Sequence, residues 1–209
     1  PPGKSSAVTL EPMNVAEPQA GFLQEVARLT RSHGALLVFD ETITGFRYSP
    51  GGAQGYFGVT PDLATFGKGL ANGFPVSAVA GRRDLMKLME EIFFSFTFGG
   101  ETLSLAASAA TLDKLKSHDV CGHLARLGRR LMAGIGERIA RHGVGDLLAV
   151  AGHPSWSFLL IKDTPTASQW QTKTLFLQEI FVRGILSLGT HNLSYAHSDA
   201  DIDRLLSLI

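Results

Sequence analysis

The chain has 209 residues, of which 44% are hydrophobic and 18% charged, proportions ordinary for a folded α/β protein. Lys+Arg and Asp+Glu both number 19, which leaves no basic footprint for a nucleic acid or an anionic membrane surface. The one cysteine, Cys121, excludes an intramolecular disulfide and suits a reducing, cytoplasmic compartment, and no apolar run reaches the roughly 20 residues that a membrane-spanning helix needs.

Ala7–Leu10 reads as a brief strand ending at Glu11-Pro12, where Glu11 is either a solvated loop carboxylate or a residue of a site. Pro18–His33 reads as a helix. Proline suits its first turn; Phe22, Val26 and Leu29 form the buried stripe, with Leu23, Ala27 and Thr30 alongside. Gly34 stops it, and His33 in the last turn complements the helix dipole. The helix returns the chain to Ala35–Phe39, an unbroken apolar run expected of a strand buried on both faces of a parallel sheet. Asp40 ends that run. An ionised carboxylate there is costly unless something positive meets it.

Glu41–Tyr56 reads as a glycine-rich loop at the mouth of a site or at a subunit contact. The next buried strand, Leu63–Phe66, delivers Lys68 into the turn Gly67-Lys68-Gly69, 28 residues after Asp40. That spacing suits one crossover between neighbouring strands. Ligands in open α/β sheets sit beyond the carboxyl ends of the strands, so both side chains reach one crevice. Lys68 has two readings. One is a lysine in solvent; the other is an amine in a partly desolvated site, where its pKa falls and it forms a Schiff base with a carbonyl. In the second, Asp40 faces a pyridine nitrogen and keeps that ring protonated, the arrangement that makes pyridoxal phosphate an electron sink. Gly69–Gly73 lacks the Gly-Lys-[Ser/Thr] ending of a nucleotide phosphate loop.

Val76–Ala80 is expected as another buried strand and Arg82–Glu91 as a short amphipathic helix. Phe93–Thr102 then runs into a small-residue helix over Leu103–Leu115, where hydroxyls and bared amides suit an anion such as phosphate. From Ser117 the pattern changes. A long helix over Val120–His142 carries Leu124, Leu127, Leu131, Ile135 and Ile139 on one face. Strands follow at Leu147–Val150 and Trp156–Ile161, with Trp156 in the core, then a helix over Ala167–Val182 and a segment Gly184–Leu188. The last helix is capped at Ser198, with Asp199 and Asp201 in its first turn. Two domains are expected, 1–117 and 118–209, with no metal site.

The run Val38-Phe39-Asp40-Glu41-Thr42-Ile43-Thr44-Gly45-Phe46-Arg47, followed by Thr60-Pro61-Asp62-Leu63 and Phe66-Gly67-Lys68, resembles the class III aminotransferases of the fold-type-I pyridoxal phosphate enzymes. It is most similar to their glutamate-1-semialdehyde aminomutase branch, and the resemblance covers the C-terminal half of such an enzyme. It implies an α/β fold: the C-terminal part of a large domain, with a mostly parallel sheet and helices on both faces, plus a small α+β domain. The implied cofactor is pyridoxal 5'-phosphate, with Lys68 as the catalytic residue that forms the Schiff base and Asp40 at the pyridine nitrogen. Thr42 would pack on the ring face, where the family usually has valine or isoleucine, and Glu11 would lie near the pocket. Thr97 matches the threonine that binds the phosphate of the partner subunit, with Thr102 as the alternative, so the resemblance implies a homodimer with shared sites. Substrates would be small amino donors and acceptors; Arg183, His191 and Asn192 lie where the family often recruits substrate contacts, and His197 is structural. Amino transfer, amino migration within one substrate, and racemisation or epimerisation share this scaffold. The reading from another class is a catalytically silent fragment or pseudoenzyme with a binding or scaffold role. It arises because the family's phosphate-cradling turn and ring-stacking aromatic precede the first residue here.

Overall fold

The computed structural model describes residues 6–209. The chain forms two compact units, one of Pro1–Asn14 with Pro18–Cys121 and one of Val15–Glu17 with Gly122–Ile209. No helix among the described residues is long and apolar enough to cross a membrane.

In the first unit, β1 (Ala7–Leu10), β2 (Leu36–Asp40) and β3 (Leu63–Phe66) lie side by side in parallel. β4 (Ala78–Gly81) joins antiparallel to β3, which makes the sheet mixed. The chain crosses from β1 to β2 through α1 (Phe22–Ser32). Leu37 and Phe39 alternate onto one face of β2 and pack with Leu23 and Ala27 of α1 and with Val59, as the two-residue period of a strand requires. Asp40 therefore falls on the opposite face.

Three local expectations are corrected. The buried row of α1 is Leu23, Ala27 and Thr30, while Phe22 is 50% and Leu29 44% exposed. The two rows lie one residue apart around the helix, and small Ala27 lets the sheet approach on its side. Val76–Ala80 is not a buried strand: β4 starts at Ala78 and is exposed from Val79 onward, at the edge of the four-stranded sheet. The amphipathic helix expected over Arg82–Glu91 is only α3 (Arg83–Met86) followed by a one-turn 3-10 helix, neither with a buried residue. Arg82 is drawn back instead to Asp62 at 3.0 Å and Asp84 at 2.7 Å.

The second unit contains most of α5 (Val120–Arg141), an antiparallel sheet of β5 (Leu148–His153), β6 (Trp156–Ile161) and β7 (Thr190–Asn192), and helices α6 (Gln169–Val182) and α7 (Asp199–Leu208). Leu124, Leu127, Leu131 and Ile135 form the buried row of α5, and Trp156 is buried. Gly128 is required by close approach: a Cβ there would lie 1.7 Å from the carbonyl oxygen of Pro154, in the turn joining β5 to β6. Ser198 caps α7 through a reciprocal box with Asp201. His197 accepts the Ser194 amide at Nδ1 and serves structure.

Candidate active site

The β2–β3 pairing decides how the site is built. Its register sets Asp40 beside Thr65, and the Thr65 carbonyl accepts the Glu41 amide at 2.9 Å. Asp40 Oδ1 accepts the Thr42 amide at 2.9 Å and the Thr65 hydroxyl at 3.2 Å. These donors favour the anion. The Asp40 carboxyl is held below the usual carboxylate range, first by the Thr42 hydroxyl and then by its amide; partial burial opposes them, while Thr65 and the charge of Lys68 add to them. Asp40 is therefore ionised at neutral pH.

Lys68 stands just beyond β3 and opens a one-turn 3-10 helix, Lys68–Leu70. Its φ of 42° lies in the left-handed region, a conformation that costs a non-glycine residue about 1 kcal/mol or more. The turn is closed by Leu70 N–H to Gly67 O at 2.9 Å and Asn72 N–H to Lys68 O at 3.0 Å. Asn72 in turn donates from its side chain to the Thr111 hydroxyl at 3.3 Å, on α4 (Thr102–Ser117). The Lys68 side chain is exposed, since the turn carries the residue past the end of the strand. The Thr42 methyl lies 3.5 Å from where a Cβ on Gly67 would be. Thr42 thus meets both Asp40 and the backbone that leads into Lys68.

Glu41 points the other way and was not singled out by sequence. Its carboxylate is 1% exposed and accepts the Thr44 hydroxyl at 2.5 Å and the amides of Ala53 and Gln54 at 2.8 Å each. Those amides open α2 (Gly52–Phe57), so part of the expected loop is helical and the acid acts as its cap. At Gly52, with φ 72°, a Cβ would come 2.6 Å from Glu41 Oε2. Asp62 is a second buried acid overlooked in the sequence. It accepts the Leu37 amide at 2.9 Å and Arg82 at 3.0 Å. Burial pushes its carboxyl up, but Leu37, Arg82 and the charge of Arg31 outweigh it and hold the group low. In both cases the signal was an acid flanking an apolar strand.

Glu11 is exposed after β1 and accepts from the Asn14 side chain at 3.0 Å. Thr97 lies on an exposed loop and lines a cavity of about 570 Å³ with Val76, Ser77, Phe98 and Ser104, which Asp40 and Lys68 do not line. The amides at the start of α4 are not bared as expected: the Glu101 carboxylate accepts those of Leu103 at 2.9 Å and Ser104 at 2.7 Å. Thr102, the first residue of that helix, is exposed. In the second unit, His191 meets the Ser157 hydroxyl at 3.0 Å, and burial lowers its pKa. Arg183 is paired with Glu179 at 2.5 Å and Asn192 is exposed. Among the described residues no group of three or more His, Cys, Asp or Glu is placed to hold a metal ion.

An acid and a lysine at the carboxyl ends of adjacent parallel strands match a known family. A protein-family model described as Aminotransferase class-III matches residues 4–152. The chain belongs to that family. It is 37% identical to the glutamate-1-semialdehyde 2,1-aminomutase of Roseiflexus castenholzii, over 99% of this chain and 51% of the relative. Among solved structures it is similar to the pyridoxal phosphate (PLP) internal aldimine form of the Sphingopyxis sp. MTA144 FumI protein, with TM-score 0.88, 26% identity, and coverage of 98% of this chain and 50% of that one. It is likewise similar to a β-phenylalanine aminotransferase from Variovorax paradoxus, with TM-score 0.86, 29% identity, and coverage of 98% and 51%. The class III family chain thus spans about half the length of the curated relatives it matches.

Proposed function

We propose that this chain supplies the lysine and the ring-nitrogen partner of a pyridoxal-phosphate-dependent aminotransferase or aminomutase acting on a small amino or carbonyl compound. The observation that carries this reading is that an ionised Asp40 ends β2 while Lys68 follows the adjacent parallel strand β3, close enough for its charge to favour the Asp40 anion. The residues fit the cofactor. Protein donors engage Asp40 at Oδ1, and the exposed Lys68 is open to a carbonyl. Lys68 would hold the cofactor covalently through Nζ and Asp40 would hold its ring nitrogen. Bound there, pyridoxal phosphate supplies an electron sink for the pair left when a substrate α-carbon loses its proton. Once a substrate amine had displaced it from the cofactor, Lys68 Nζ would be free to take that proton and return it; Asp40, by staying ionised, would favour the protonated ring nitrogen.

Thr97 is read as the phosphate contact to a second copy in a homodimer. Its support is that Phe93, Phe94, Phe96 and Phe98 around it are all more than half exposed, an apolar surface of the kind that subunits cover. Glu11 and Thr42 are read as the pocket's edge and its ring-side wall. The domain division at 117/118 belongs to the same reading, as does a cytoplasmic location. Amino migration within one substrate is supported by the names of the curated relatives, amino transfer by that of the Variovorax paradoxus β-phenylalanine aminotransferase.

The test is an absorption spectrum of the protein at its full natural length with pyridoxal phosphate, before and after borohydride. A yellow species fixed by reduction to a peptide containing Lys68, and lost in Lys68→Ala, is expected. Absence of any band in the wild type would overturn the reading in favour of a binding or scaffold role.

A further inference from the structure

The Asp40 carboxylate is held from two directions, by the Thr42 amide and by Thr65, a residue to which the family motif assigns no task. Thr65 lies directly across the parallel ladder from Asp40. Its carbonyl takes the Glu41 amide at 2.9 Å while its hydroxyl donates to Asp40 Oδ1 at 3.2 Å. The backbone ladder thus fixes where the hydroxyl stands relative to the acid. The Thr42 amide reaches the same oxygen at 2.9 Å. Thr65 also precedes Lys68 by three residues on the strand that delivers it. In the run Leu-Ala-Thr-Phe it is the one polar side chain, so packing against apolar neighbours does not account for its hydroxyl.

We propose that Thr65 is a positioning residue: with the Thr42 amide it ties Asp40 by one oxygen, so that the acid stays ionised and keeps a fixed aim toward the ring nitrogen. This rests on the reading of Asp40 given above and deepens it. A carboxylate on a single-bonded Cβ–Cγ axis would otherwise rotate freely. Two donors on Oδ1 stop that rotation and stabilise the charge. The groups around Asp40 point the same way. Lys68, beyond β3, is the cation that acts on it, and the hydroxyls of Thr42 and Thr65 both favour its anion. Glu41 is turned into its own set of donors on Thr44 and α2. Glu11, after β1, is engaged by Asn14.

The experiment uses the protein at its full natural length in four forms: wild type, Thr65→Val, Thr65→Ser and Thr65→Ala. The Asp40 carboxyl is titrated by carbon NMR without cofactor, and pyridoxal phosphate affinity is then measured against pH. Removing a donor from the anion raises the acid's pKa. Thr65→Val and Thr65→Ala should therefore shift the Asp40 titration upward, while Thr65→Ser stays with the wild type. Cofactor binding should weaken about fivefold at neutral pH in the two variants without a hydroxyl, the effect of losing one ordinary hydrogen bond. In those variants, loss of binding on acidification should also begin at higher pH. Thr65→Ala repeats the test should valine overfill the site. An Asp40 titration unmoved in both variants would overturn the proposal, even with cofactor binding intact. A shifted titration in a protein that binds no pyridoxal phosphate would uphold the positioning and sink the cofactor reading instead.

Discussion

The acids at the ends of β2 and β3 in the first unit and the arginine-paired acids of α7 in the second do different work. Along β2 and β3 of the first unit, Asp40, Glu41 and Asp62 are buried or half-buried, and each is met by backbone amides together with a hydroxyl or a guanidinium. On α7 of the second unit, the half-exposed side chains of Asp199 and Asp203 pair with Arg126 and Arg130, with Asp199 at 2.8 and 2.6 Å. The first arrangement fixes direction, because an amide in a strand or a helix end cannot follow a wandering carboxylate. The second makes exposed ion pairs on flexible stems, which contribute little. The difference locates the candidate chemistry in the first unit, where charge is held in place and not merely solvated.

The sharpest way to break that contrast is at Lys68. Lys68→Ala should abolish borohydride-fixed attachment of the cofactor altogether, read by mass spectrometry, while thermal unfolding stays near the wild type because the side chain is exposed. Covalent attachment in that variant would move the site elsewhere. Asp40→Asn should come next. Replacing a charged acceptor by a neutral one should weaken cofactor affinity by about tenfold or more, as loss of a charge-assisted bond does; an unchanged affinity would remove Asp40 from the site.

Glu41 separates holding from chemistry. Glu41→Ala leaves buried amides at Ala53 and Gln54 without an acceptor, and denaturant unfolding should show a loss of about 3 kcal/mol; Glu41→Gln, which keeps one acceptor oxygen, should lose less. A loss of activity in Glu41→Gln with full stability would make Glu41 part of the chemistry. The smallest effect belongs to the second unit. Arg126 and Arg130 depress the Asp199 carboxyl from 3.8 to about 2. A depressed acid contributes stability above its unfolded pKa and loses it as pH falls through the folded one, so the pair's contribution should fade between pH 3.8 and about 2. Arg130→Ala should barely move the unfolding midpoint at pH 7 in moderate salt. A large shift there would erase the distinction between the two regions.

Much of this was legible in the chain. The apolar runs ending in Asp40 and Lys68 gave the β2 and β3 strands, and the Ser198 cap and Trp156 strand were found where expected. Strand pairing was less legible. Register is a property of two segments at once, so Thr65 carried no mark until the ladder set it beside Asp40. Glu41 was hidden for a similar reason, since its partners lie a dozen residues on in a helix that glycine-rich sequence disguised as loop. On α1 two adjacent rows share the stripe, and only the packing against Leu37 and Phe39 sets Leu23 and Ala27 deepest and leaves Val26 partly buried. At α4 the hydroxyl-rich approach suggested open amides, and the side chain of Glu101 had already filled them.

The most direct test of the central claim is a crystal structure of the full-length protein reduced with borohydride in the presence of pyridoxal phosphate. The expected map shows continuous density from Lys68 Nζ to the cofactor, its ring nitrogen within hydrogen-bond distance of Asp40, and Asp40 still tied to Thr65 and Thr42. Cofactor joined to another lysine, or a ring nitrogen turned away from Asp40, would contradict it.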